Sequence, residues 1–89
     1  MSGQIALSFE DRQRLAKQTA AVWSVMKDGQ WRTLSRIRDL LALEHRVSAS
    51  EASISARLRE LRSLGHQVDR RQVKDAPRGL NEYRVWPKS

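Results

Sequence analysis

An α+β domain, three helices followed by a C-terminal antiparallel β-hairpin, is the fold class this sequence predicts. Three observations carry it. Apolar residues recur at helical spacing in three successive segments up to Gly65. Beyond Gly65 the period switches to two. The turn-rich stretch Lys74-Asp75-Ala76-Pro77-Arg78-Gly79 then divides the alternating region into two strands.

Residues 1–8 read as a flexible leader and residues 9–87 as one domain, since 89 residues leave no room for a second. Ser8 followed by Asp11 suits a helix start, with a hydroxyl cap and an acid in the first turn. Leu15, Thr19, Val22 and Met26 form one stripe, which Trp23 widens, and Gly29 suits the left-handed position after the helix end. Helix 1 is therefore expected from about residue 9 to about residue 28. Gln30-Trp31-Arg32 reads as a short extended link and Thr33 as the cap of helix 2. In helix 2, Leu34, Ile37, Leu40, Leu41 and Glu44 fall on one side, and the helix ends between Leu43 and His45. Ser48 and Glu51 have the spacing of a capping box for helix 3. The buried stripe of helix 3 is Ile54, Leu58 and Leu61, and Gly65 ends it. Val68 to Val73 and Glu82 to Trp86 are the expected strands.

The net charge is +7, with 17 basic and 10 acidic residues, and it is uneven. Residues 1–30 carry four basic and three acidic side chains, and residues 31–89 carry thirteen and seven. Thirteen of the bases are arginine, whose planar fork suits phosphate and guanine. This points to an anionic partner, with a solvated charged surface as the bland alternative. With no cysteine, disulfides and thiolate metal sites are excluded, and His45 and His66 lack ligands at metal spacing. No metal and no cofactor is expected. No triad-like arrangement or glycine-rich phosphate loop is present, so enzymatic chemistry is not expected either. Apolar runs are too short for a membrane span, and Met1–Leu7 has no signal-peptide pattern, which implies a cytoplasmic protein.

Three motifs carry a family resemblance. They are Thr33-Leu34-Ser35-Arg36-Ile37 at the start of helix 2, the helix 3 segment from Glu51 to Arg62, and the late Arg78-Gly79-Leu80-Asn81-Glu82-Tyr83-Arg84. Over roughly residues 10–86 the chain resembles small winged helix-turn-helix proteins of bacteriophages and bacteria. The resemblance implies a winged helix-turn-helix fold and binding of double-stranded DNA by a regulator of transcription or an accessory factor in DNA transactions. It also leaves a second role open, because winged helices serve as protein-interaction modules too. The link Leu43-Glu44-His45-Arg46-Val47 departs from the family, having no glycine where relatives make a tight turn. Either helix 2 runs longer or the turn is looser.

In helix 3, burying Ile54, Leu58 and Leu61 turns Ala52, Ala56, Arg59 and Ser63 outward, flanked by Ser53, Ser55 and Glu60. Small side chains on the first two outer turns let such a helix enter a major groove. Ser53, Ser55 and Ala56 are therefore candidate DNA contacts, and Ser55, Arg59 and Arg62 form a row suited to a phosphate strand. From the hairpin, Arg70, Arg71, Lys74 and Arg78 are candidates for the backbone or minor groove. Glu51 has two readings, closing the capping box or accepting from a cytosine amino group, and its spacing favours the cap. Arg57 has two open roles, pairing with Glu60 or reaching a phosphate. Trp23, Trp31 and Trp86 read as structural, because a base-stacking surface interleaves aromatics with bases and the hairpin tip has none. Almost nothing lies beyond the module, so a monomer or weak dimer is expected.

Overall fold

The computed structural model describes residues 9–76 and 79–87. Three helices and a three-stranded antiparallel sheet follow the order α1 (Phe9–Met26), β1 (Arg32–Thr33), α2 (Leu34–His45), α3 (Glu51–Ser63), β2 (Val68–Gln72) and β3 (Asn81–Val85). In the sheet β3 is central, between β1 and β2. The expected leader and the Ser8 cap lie outside the described residues.

The helices form where the apolar stripes place them. Val22, Met26, Ile37, Leu41, Ile54 and Val85 are fully buried, and Leu58 and Leu61 join them. Burial of each such side chain contributes about 1.5–3 kcal/mol, so this one cluster from all three helices and the sheet accounts for the fold's cohesion. Glu44, expected on the inner side of α2, is instead exposed in the last turn, where its carboxylate keeps its hydration.

Local chemistry sets the boundaries. α1 ends two residues earlier than expected, and Gly29 takes a φ of 73° just beyond it. The Thr33 hydroxyl accepts from the Arg36 amide at 3.1 Å and starts α2. Between α2 and α3 the chain reverses without glycine, because Arg46 itself adopts the left-handed conformation (φ 54°, ψ 35°). The Val47 amide then donates to the Leu41 carbonyl at 3.0 Å. Helix α2 is thus not prolonged, and a non-glycine residue carries the strain of the turn.

The Ser48–Glu51 capping box does not form. Ser50 is the cap of α3, its hydroxyl accepting from the Ser53 amide at 3.1 Å. Helix α3 begins at Glu51, which puts Ser48 out of reach of the third amide. Glu51 turns instead to Arg38, 3.2 Å away. At the other end Gly65 has a φ of 103° and releases the chain into β2. The first strand lies at Arg32–Thr33, starting two residues later and ending one later than the expected link, and pairs with Tyr83 and Glu82 of β3. The third strand starts at Asn81, and Trp86 extends it by donating to the Gln67 carbonyl at 2.9 Å.

Candidate nucleic-acid interface

Register decides which hairpin residues face α3. Val68 pairs with Val85, Arg70 with Tyr83 and Gln72 with Asn81, while Asp69 pairs with Arg84 and Arg71 with Glu82. Alternate residues of a strand point to opposite faces. Val68 and Val85 are buried toward the helices, so Arg70 and Tyr83 share that side and Arg71 and Arg84 occupy the other.

On the helical side an open groove of about 310 Å³ runs between α3 and the sheet. Ser55, Arg59 and Arg62 line it from α3 and Arg70 and Tyr83 from the strands, over a floor of Leu58 and Val68. The expected Ser55–Arg59–Arg62 row is therefore a wall of this groove, and Arg70 faces it. Among the described residues no acid lines the groove. Among the described residues Arg59, Arg70 and the Tyr83 hydroxyl have no side-chain hydrogen bond or ion pair. One Arg62 nitrogen donates to the Val68 carbonyl at 2.9 Å, which ties α3 to β2 and leaves its other donors available. Three arginines lining one groove without an acid among the described lining residues favour an anion there.

The remaining candidates are placed differently. Ala56 and Ser53 are half-buried, and the Ser53 hydroxyl is engaged by the Ser50 hydroxyl at 3.1 Å. Lys74 is exposed in the hairpin turn. Arg78 lies outside the described residues. Arg57 resolves to the first of its two roles: its side chain is 12% exposed, with Nε 3.6 Å from Glu60. Glu60 also receives the Thr19 hydroxyl at 3.1 Å, so these groups link α1 to α3. Ion-paired with Arg38, Glu51 acts neither as capping-box partner nor as an unengaged acceptor.

Arg71 is on the opposite face, away from α3. It binds Glu82 at 3.0 Å and stacks over Trp31, 4.2 Å from the ring centre. Arg84 lies 4.5 Å from Trp31 and 4.3 Å from Trp86 and pairs with Asp69 at 3.2 Å. Asp69 accepts further bonds from Gln67 Nε2 at 3.0 Å and Trp86 Nε1 at 2.8 Å. The bonds from Gln67 and Trp86, with that from Arg84, hold its carboxyl below the ordinary range. Trp31 and Trp86 thus make intramolecular contacts with arginines of the sheet, with which they interleave. Guanidiniums lie over the rings of both Trp31 and Trp86. Beside them, Asp28 binds Arg32 through two contacts of 2.7 Å, and this lowers its carboxyl to about 2. Trp23 packs on His66 at 4.4 Å between ring centres.

Sequence reasoning missed Tyr83 as a groove residue. Its alternation in phase with Val85 was the available signal, but only pairing with Arg70 brings it there. Among the described residues there is no group of three or more His, Asp or Glu able to hold a metal ion, and no helix long and apolar enough to cross a membrane. Comparisons with known protein families, with curated proteins and with solved structures find no match.

Proposed function

We infer that this chain is a winged helix-turn-helix protein that binds double-stranded DNA, with α3 in the major groove and the β2–β3 hairpin as a basic wing along the backbone. The observation that carries this reading is the acid-free groove in which Arg59, Arg62 and Arg70 converge beside the small side chains of α3. Duplex DNA matches it in two respects. Its phosphates supply the missing counter-charge, and its major groove admits a helix whose outer residues are small. Duplex RNA fits poorly, since its major groove excludes a helix. The transcriptional or accessory role in a phage or bacterium follows from the motif resemblance and belongs to the same proposal.

The test is a fluorescence anisotropy titration with a mixed-sequence duplex, the same strand alone and a duplex RNA, each over a salt series. Preference for duplex DNA is expected, with an affinity that falls linearly in log–log form as salt rises. Ala56→Glu places a carboxylate on the proposed reading face. It is expected to cut affinity at least about tenfold while the melting transition stays cooperative. Absence of duplex binding at low salt overturns the reading, and capture of an acidic protein in its place moves the function to an interaction module.

A further inference from the structure

The groove between α3 and β2 has a more specific chemistry than a basic surface. Five donor side chains line it from three elements: Ser55, Arg59 and Arg62 from α3, Arg70 from β2 and Tyr83 from β3. The Tyr83 hydroxyl and the Arg59 and Arg70 guanidiniums have no partner among the described residues. Its floor, Leu58 and Val68, offers no acceptor from a side chain. A planar carboxylate satisfies donors in one plane. Donors arriving from both walls suit a tetrahedral anion with oxygens on several sides.

The trough also has a direction. Tyr83 lines a second, smaller depression with Ser35, Glu51 and Asn81 near the start of α3. There the Glu51 carboxylate stands 3.2 Å from Arg38 and repels an anion. The favourable end is therefore the second half of α3, and the groove is open rather than closed around a terminal group.

We propose that this notch seats a single phosphodiester of the nucleic-acid backbone, so that α3 and β2 straddle one strand. The proposal rests on the duplex reading above. It makes Tyr83 and Arg70 backbone anchors and leaves the small outer residues of α3 to face the bases. It also assigns Arg71, one residue along, no part in binding.

The arginine Nε–H resonances of the intact chain report on this directly, with inorganic phosphate as the probe and acetate at equal ionic strength as the control. The Arg59, Arg62 and Arg70 signals are expected to move together along one saturating curve with phosphate, while those of Arg71 and Arg84 stay still. Arg70→Gln is expected to weaken phosphate about tenfold and to make the duplex salt slope shallower. Tyr83→Phe checks the hydroxyl alone and is expected to give a smaller loss in the same direction. Equal, non-saturating shifts of all exposed arginines, or identical curves with acetate, overturn the notch. Duplex binding that is indifferent to Arg70→Gln also overturns it and leaves the duplex reading standing. Saturating phosphate binding without duplex affinity keeps the notch and overturns the duplex reading.

Discussion

The two faces of the β2–β3 hairpin treat their arginines in opposite ways. On the outer face Arg71 and Arg84 are paired with Glu82 and Asp69 and stacked on Trp31 and Trp86. On the face toward α3, Arg70 meets Arg59 and Arg62 and no acid. The outer set is neutralised by charge pairs and by the negative ring faces of the indoles, so it stabilises the sheet. The inner set keeps its charge unspent, so it is available to a ligand. Net charge therefore says less about binding than the location of the uncompensated part. Of the chain's +7, the fraction that matters for recognition is the fraction that folding leaves unpaired.

The contrast can be broken at its shared support. Leu58 is buried beneath the groove and packs in the core. Leu58→Ala is expected to cost about 2–5 kcal/mol, read as a lowered midpoint in chemical denaturation. A midpoint equal to the parent's sinks the assignment of Leu58 as the common floor.

A crossed pair of substitutions sharpens the comparison. Arg59→Ala removes one donor from the notch and is expected to reduce duplex affinity by less than the about 1–3 kcal/mol of a base-reading arginine, with little change in melting. Arg84→Ala should do the reverse. It removes two ring contacts at about 0.5–1 kcal/mol each, lowering stability with affinity unchanged. If both variants lose affinity equally, the faces are not functionally distinct.

The smallest expected effect is in acid. The carboxyl of Asp28 is held at about 2 against an ordinary 3.8, and that of Asp69 is also lowered. A depressed carboxylate pKa contributes stability that is fully present above its unfolded value and lost as pH falls through the folded one. The turn between α1 and β1, which presents Trp31, should therefore loosen between about pH 4 and pH 2. The groove, having no acid, loses no pair there. Asp28→Asn should flatten that part of the stability–pH curve, and an unchanged curve would show that the Arg32 bonds contribute nothing measurable.

Much of this architecture was readable along the chain. The stripe Ile54–Leu58–Leu61, the Thr33 cap and the change of period after Gly65 are local patterns, and local sterics and hydrogen bonding enforce them. Ambiguity entered where two residues compete for one role. Ser48 and Ser50 both precede α3, and the choice turned on where the first helical turn begins. Arg46 gave no glycine-like signal for its left-handed turn, a conformation that arginine rarely adopts.

The functional contrast divides along the same line. Sequence by itself determined that Arg70 and Arg71 point to opposite faces, since adjacent residues in a strand must. It also determined that α3 presents small residues opposite its apolar stripe. Only the tertiary structure decided which arginines remain uncompensated. Glu82 reaches Arg71 across an 11-residue separation, and Asp69 reaches Arg84 across 15. Those partnerships depend on strand register, and Trp31 joins them only because β1 docks on the far edge of β3. Charge is written residue by residue, whereas neutralisation is a property of pairs, and pairs distant in the chain exist only after folding brings them within a few ångströms.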